Sequence, residues 1–290
     1  MKVSGFSFVK NALKFDYPII ESINSILPLC DEFIIAVGKS EDETLNLIKS
    51  IKSDKIKIIE TVWDETLRVG GRVLAVETDK ALAAIDKNSD WAFYIQGDEV
   101  VHEKYHKNIL NAMKEYKDAK NVDGLLFKYK HFFGSYDYVA DAPDWYRREI
   151  RVIRPNKGVY SYKDAQGFRK ENNKVLNVKL IDAYIYHYGW VKRPDTMQQK
   201  QENFNKLWHD DEWMEKNVQK KEEFDYSIIN SLSLFDDTHP EVMQARINKQ
   251  NWKFDYDISF KKLSLKNSFK RNVEKYTGIR IGEYKNYKIV

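Results

Sequence analysis

The sequence lacks the features that mark secreted, disulfide-rich or membrane-spanning proteins. Its single cysteine, Cys30, excludes a disulfide within the chain. No run of about 18 apolar residues occurs, and the first residues lack the apolar stretch of a signal peptide. We therefore expect a cytoplasmic protein. Because Cys30 follows the apolar run at residues 19–29, we expect its thiol to be buried as a small apolar side chain.

A strong net charge is also absent. The 48 Lys and Arg residues against 44 Asp and Glu residues leave a charge of +4, too little to indicate nucleic-acid binding. The basic residues are unevenly placed, since residues 259–290 contain nine Lys or Arg and two Glu, a local charge of +7. This tail predicts contact with an anionic membrane surface, at the inner face of the membrane, or with an acidic partner. A solvated basic face is the alternative.

Apolar runs of strand length alternate with segments of helical periodicity through the first hundred residues. The predicted strands are residues 3–9, 33–37, 56–59 and 91–95. This alternation predicts an α/β fold with a mostly parallel central sheet flanked by helices, whose ligands bind beyond the carboxyl ends of the strands. We assign residues 1–208 to one domain and residues 209–290 to a helical, basic C-terminal extension that packs on it.

The segment YIQGDEV, residues 94–100, contains the sharpest local signal. A predicted buried strand ends directly in Gly97, Asp98 and Glu99. Carboxylates at the carboxyl end of a parallel strand are suited to a hard divalent cation that also binds phosphate oxygens. An acidic surface turn is the alternative. Upstream, Gly70 and Gly71 precede Arg72 at the start of a predicted helix, where positive charge and backbone N–H groups favour a phosphate.

Three segments together resemble the family 2 glycosyltransferases of the GT-A fold. They are Val9-Lys10-Asn11 at the end of the first strand, CDEFIIAVGKSEDET at residues 30–44, and QGDE at residues 96–99. Residues 145–170 and YHYGWVKRP, residues 186–194, are similar to segments of bacterial members. The resemblance implies transfer of a sugar from a nucleotide-sugar donor to a glycan or lipid-linked acceptor. It also implies a divalent metal, Mn²⁺ or Mg²⁺, and inversion at the sugar carbon.

Each candidate residue receives a role on this basis. The resemblance makes Asp98 and His187 the metal ligands and Glu99 a supporting carboxylate. An inverting transfer needs a carboxylate base; Asp144, Glu149 and Asp164 are candidates, of which we select Asp164 and then Glu149. The predicted donor-binding residues are Val9, Lys10, Asn11, Asp42, Arg72, Gln96, Gly97 and Asp98. Trp145 and Tyr146 are predicted to form an acceptor platform, with a role in the core as the alternative.

Two departures from the family leave a second interpretation open. Val37 and Gly38 stand where the family has an acidic residue that reads uridine, and Gln96 replaces the first aspartate of the metal motif. The alternative is therefore a non-catalytic nucleotide-sugar-binding or regulatory module. A nucleotidyltransferase is disfavoured because the segment after the first strand lacks a glycine-rich, Lys-containing loop.

The remaining histidines, including His131, show no ligand spacing. On the strand near residue 150, Arg151 is predicted to share a solvated or phosphate-facing basic side with Arg147.

Overall fold

The computed structural model describes residues 1–218 and 221–290. Its strands are β1 (Val3–Val9), β2 (Glu32–Gly38), β3 (Ile56–Thr61), β4 (Trp91–Tyr94), β5 (Glu99–Val101), β6 (Gly124–Phe133), β7 (Tyr138–Ala140), β8 (Arg148–Ile153), β9 (Tyr160–Tyr162), β10 (Gly167–Arg169), β11 (Leu176–Trp190), β12 (Leu232–Leu234) and β13 (Tyr287–Ile289). Its α-helices are α1 (Ile19–Ile26), α2 (Thr44–Lys49), α3 (Arg72–Ala83), α4 (His106–Glu115), α5 (Pro194–Lys206), α6 (Asp211–Asn217), α7 (Gln244–Ile247) and α8 (Leu265–Thr277).

A central sheet organises the molecule. Along its main path the strands lie in the order β12-β7-β6-β8-β4-β1-β2-β3. The segment β4-β1-β2-β3 is parallel throughout, and β8 runs antiparallel to both β4 and β6. The long strand β11 continues the sheet beside β6 in parallel and also pairs with β5 and β13. The expected α/β fold, with a mostly parallel central sheet between helices, is confirmed.

Helices cover both faces of the sheet, which explains why β2 is apolar without interruption over residues 33–37. In β2, Phe33 and Ile35 contact the apolar layer that contains α1 and α4, whereas Ile34 and Ala36 contact the layer that contains α3. Because successive strand residues point to opposite faces, a strand buried on both sides needs an unbroken apolar run. Cys30 is buried beside this strand, as expected.

The C-terminal extension adds strands to the sheet as well as helices. β12 pairs with β7 and β13 pairs in parallel with β11, so the chain after residue 208 returns twice to the sheet. Within the described residues, no helix combines the length and apolar character needed to cross a membrane.

Candidate functional site

A cleft of about 440 Å³ opens at the carboxyl ends of β1 and β4. Seven aromatic side chains contribute to its walls: Phe8, Phe15, Tyr17, Trp63, Tyr146, Trp190 and Phe204. Its polar wall includes Lys10, Asn11, Gln96, Asp98, Asp164, Gln166, His187 and Lys200. The sheet therefore brings residues from distant parts of the sequence to the edge where parallel α/β sheets bind ligands.

Asp98 and His187 converge at the base of this cleft. β5 and β11 are antiparallel neighbours, and the Asp98 carbonyl accepts a hydrogen bond from the Tyr188 N–H at 2.8 Å. His187 Nε2 consequently lies 3.7 Å from Asp98 Oδ1. Gly189 leaves the space beside both groups free, since a Cβ there would lie 2.6 Å from Asp98 Oδ2 and 2.6 Å from His187 Nε2.

His131 fixes which nitrogen of His187 faces Asp98. His131 and His187 are register partners on β6 and β11. The His131 Nε2 lies 2.7 Å from the Tyr146 carbonyl and must donate to it, which leaves its Nδ1 to accept from His187 Nδ1 at 3.1 Å. His187 Nε2 then carries a lone pair. Burial lowers the pKa of His187 and keeps the ring neutral.

Two lysines surround the Asp98 carboxylate with positive charge. Lys200 Nζ lies 3.2 Å from Asp98 Oδ2 and donates to the Gly189 carbonyl at 2.8 Å. Burial by itself would raise the pKa of Asp98, but the positive charge nearby, of Lys200 above all, holds that pKa well below its usual range. Lys192 Nζ donates to the Asp16 carbonyl at 2.6 Å, and burial lowers its pKa to about 7. The cleft base therefore favours anionic groups.

The side chains at the cleft base fit a divalent cation that takes its remaining ligands from a phosphate. Asp98 supplies a carboxylate, which suits Mn²⁺ and Mg²⁺, and His187 supplies a nitrogen lone pair, which suits the transition metal Mn²⁺ better than Mg²⁺. Among the described residues, no group of three or more His, Cys, Asp or Glu side chains could enclose a metal. Two protein ligands leave positions for diphosphate oxygens and water, as magnesium sites at phosphates commonly do.

The expectation that Glu99 supports the metal is wrong. Its side chain points away from Asp98 and is fully buried, because adjacent residues of an extended segment face opposite sides. Arg151 donates to both Glu99 oxygens at 2.7 Å, and the Tyr129 hydroxyl donates to Oε1 at 2.7 Å. The prediction that Arg151 lies on a solvated or phosphate-facing basic side of its strand is also wrong, because Arg151 is fully buried and paired with Glu99. This buried pair joins β5 to β8.

Asp164 occupies a turn that borders the cleft. The residues on either side, Lys163 and Ala165, have φ values of 53° and 64°, a left-handed conformation that is costly for non-glycine residues. Gln96 holds the turn, because its Nε2 donates to the Ala165 carbonyl at 3.1 Å. Burial raises the pKa of Asp164. The carboxyl group is thus fixed near the cleft and is a stronger base than an exposed aspartate.

The other predicted donor-binding residues divide into two groups. Val9, Lys10, Asn11 and Gly97 line the cleft with Gln96 and Asp98. Asp42 does not line it, and its oxygens accept from the backbone N–H groups of Lys14 at 2.7 Å and Thr44 at 3.0 Å. Arg72 is exposed at the start of α3 and is likewise not a lining residue.

One of the two acceptor candidates and one of the three base candidates line the cleft. Tyr146 lines the cleft, whereas Trp145 packs against His131 at 5.0 Å between ring centres and does not line it. Glu149 is buried outside the cleft, in an adjoining cavity that Asp144 also lines. Asp164 borders both spaces.

His131, Lys192 and Lys200 are site residues that the sequence interpretation missed. A signal for Lys200 was present, since it shares one face of α5 with Met197 and Phe204 and is therefore a lysine on the apolar side of an amphipathic helix. His131 gave no comparable signal, because its contact with His187 depends on which distant strands pair.

Comparison with known proteins gave structural matches alone. No protein-family model matches the sequence, and no curated protein matches it. A crystal structure of S. aureus TarS in complex with UDP is 15% identical, with a TM-score of 0.41 over 77% of this chain and 68% of that one. A longer TarS structure is 16% identical, also at 0.41, and this chain covers 41% of its length.

Two further matches concern other enzymes. The 4-diphosphocytidyl-2C-methyl-D-erythritol synthase of Anaerococcus prevotii is 15% identical, with a TM-score of 0.39 over 70% of this chain and 96% of that one. Glucosyl-3-phosphoglycerate synthase of Mycobacterium tuberculosis, solved with Mn²⁺, UDP and phosphoglyceric acid, is 19% identical, with a TM-score of 0.30 over 45% of this chain and 43% of that one.

Proposed function

We propose that this chain is a metal-dependent, inverting glycosyltransferase that uses a nucleotide-sugar donor. The observation that carries the proposal is the arrangement at the cleft base, where the Asp98 carboxylate and the lone pair of His187 face the same space beside Gly189. Mn²⁺ or Mg²⁺ bound there would neutralise charge that develops on the leaving diphosphate.

Lys200, beside Asp98, would bind the diphosphate directly. It lines the cleft and provides an ammonium group for phosphate oxygens, while Lys192 is buried behind the cleft wall and does not line it. The aromatic end of the cleft would hold the nucleoside. There the Trp63 indole covers Gly38, since a Cβ at residue 38 would lie 2.4 Å from Trp63 Nε1. The Trp63 indole thus fills the space beside Gly38, at the place where the family 2 glycosyltransferases have an acidic residue.

Asp164 is the proposed base. The acceptor hydroxyl oxygen would form the bond to the anomeric carbon while the bond from that carbon to the diphosphate breaks, and the hydroxyl proton would pass to the Asp164 carboxylate. Support comes from its position, since Asp164 borders both the cleft and the adjoining cavity. Asp164→Asn should retain donor affinity and lose transfer by about 10²- to 10⁴-fold. Unchanged transfer would reject this role.

The first experiment measures donor hydrolysis and transfer with a panel of nucleotide sugars, with and without Mn²⁺. Asp98→Ala should abolish both the metal response and turnover, whereas Asp182→Ala, an exposed aspartate on β11, should match the wild type. Donor binding without turnover for every acceptor would favour the alternative, a non-catalytic nucleotide-sugar-binding module.

We also propose that α8 contacts an anionic membrane surface, which would place the enzyme at the inner face of the membrane. Leu265, Phe269 and Tyr276 are 92%, 63% and 81% exposed. At about 100° per residue they fall within roughly 40° of one another on the helix. Lys266 and Lys275 flank this apolar stripe on its two sides. An apolar stripe between lysines is typical of helices that lie on anionic lipid.

Vesicle sedimentation tests the membrane contact. Wild-type protein should bind phosphatidylserine vesicles and not phosphatidylcholine vesicles, and Phe269→Ser should weaken binding without a change in donor hydrolysis. Binding that does not depend on Phe269 or on lipid charge would reject the proposal, and a glycan acceptor in solution would then be favoured over a lipid-linked one.

A further inference from the structure

A side cavity of about 420 Å³ adjoins the cleft and shares wall residues with it. Tyr146, Asp164 and Gln166 border both spaces. The C-terminal extension supplies the opposite wall, through Lys270 of α8 and residues 280–284 and 286. The parallel pairing of β13 with β11 fixes this segment in place. The chain's own C-terminal extension thus completes a compartment beside the proposed donor site.

Buried polar atoms without partners are concentrated at the side cavity. Glu149 is 4% exposed; its Oε1 accepts from Gln166 Nε2 at 2.9 Å, whereas its Oε2 has no partner. Arg280 Nη1 and Asn286 Oδ1, in the facing wall, also lack hydrogen-bond partners. An unpaired buried polar atom is costly. Arg280 Nη1 has only a distant ion-pair partner, Glu283 Oε1 at 3.9 Å, so a polar ligand in the cavity would improve the pairing of all three atoms.

A glycine permits two of these groups to approach each other. A Cβ at Gly167 would lie 2.2 Å from Asn286 Nδ2 and 3.2 Å from Glu149 Oε2. The extension therefore packs closely against β10 beside Glu149. The side chains that carry the two unpaired oxygens therefore meet beside Gly167, at the same end of the cavity wall.

The charges and donors of the wall favour a neutral ligand with many hydroxyl groups. Lys163, Lys270 and Arg280 are balanced by Asp144, Asp164 and Glu283. Burial raises the pKa of Glu149 to about 8, so this carboxyl is mainly neutral at pH 7 and can donate a hydrogen bond. Hydroxyl groups both donate and accept, which matches a wall that offers both functions. The rings of Tyr146 and Tyr284 add faces on which a sugar can pack.

We propose that the side cavity binds a neutral saccharide unit of the acceptor, with Glu149 and Asn286 hydrogen-bonded to its hydroxyl groups. This inference rests on the proposed glycosyltransferase function. It assigns Glu149 to acceptor binding and leaves Asp164, at the junction of the two spaces, as the base. It also makes the C-terminal extension a determinant of acceptor specificity.

The test uses Asn286→Ala, because this change removes an unpaired side-chain oxygen while the backbone carbonyl still accepts from Arg169 Nη1 at 3.1 Å. Tyr284→Ala is the second variant, and Asn272→Ala, an exposed asparagine on α8, is the matched control. Binding of methyl glucoside, N-acetylglucosamine and glycerol is measured by saturation-transfer NMR on the full chain. Metal-dependent donor hydrolysis is measured separately.

We expect at least one of the two sugars to bind, with Kd raised about tenfold in Asn286→Ala and unchanged in Asn272→Ala. No saturation transfer to any probe would overturn the proposal. Equal binding by the wild type, Asn286→Ala and Tyr284→Ala would also overturn it, while intact donor hydrolysis would leave the proposed function standing. Conversely, sugar binding that depends on Asn286, in a protein that binds no nucleotide sugar, would support the side cavity as a saccharide site. The same result would reject the proposed glycosyltransferase function.

Discussion

Gly189→Ala should weaken the proposed metal site while the fold survives. The added Cβ would lie 2.6 Å from both Asp98 Oδ2 and His187 Nε2, closer than the 3.0 Å below which real Cβ contacts essentially never occur. At least one of the two ligands must therefore shift by several tenths of an ångström. Metal–ligand distances tolerate only about 0.2 Å. We expect Mn²⁺ affinity to fall about a hundredfold, or about 2.7 kcal/mol.

The assay is calorimetric titration of Mn²⁺ into protein saturated with a nucleotide sugar selected from the donor panel. Overpacking at one buried site costs about 1–3 kcal/mol, so urea unfolding should show a cooperative but less stable variant. Circular dichroism provides the control for the fold. Wild-type Mn²⁺ affinity in a folded Gly189→Ala protein would show that the space beside Asp98 and His187 does not hold the cation.

Three further predictions concern the groups around this site. His131→Phe should weaken Mn²⁺ binding about 10- to 100-fold, because His187 loses the acceptor that fixes its tautomer; unchanged affinity would leave His131 with a packing role. Arg151→Met should lower the free energy of unfolding by about 3–5 kcal/mol, since Glu99 remains as an unpaired buried charge, and added Glu99→Gln should recover part of the loss in urea titrations. Glu149 has a folded pKa of about 8 against roughly 4.3 when unfolded, so its neutral form stabilises the fold at low pH and this contribution is lost as pH rises toward 8. Relative to the wild type, Glu149→Gln should therefore gain about 3 kcal/mol of stability between pH 5 and pH 8, and parallel pH profiles would contradict the assignment.

Local sequence patterns were sufficient to predict the first half of the sheet. β1 spans Val3–Val9 as predicted, and the apolar run at residues 33–37 lies within β2. The unbroken run at residues 33–37 reports burial on two faces, a property that this strand carries in its own residues. The roles of β12 and β13 could not be predicted, because three-residue strands depend on partners far away in the chain.

The candidate site was predictable only where a residue's position followed from its own strand. Asp98 was found because it follows a buried strand, and the structure brings it to the cleft. Glu99 was misassigned because its partner, Arg151, lies 52 residues away on β8. His131 could not be recognised without the pairing of β6 with β11. Tertiary contacts thus decide which polar residues reach the cleft.

Pulsed electron paramagnetic resonance of bound Mn²⁺, in the presence of the nucleoside diphosphate of a donor selected from the panel, shows whether Asp98 and His187 hold the cation. We expect phosphorus couplings from the diphosphate and coupling to one histidine nitrogen at the same ion, with the nitrogen coupling lost in His187→Ala and the bound ion lost in Asp98→Ala. A Mn²⁺ ion that binds with the nucleotide but shows no histidine nitrogen, or that remains bound in Asp98→Ala, would reject the proposed metal site.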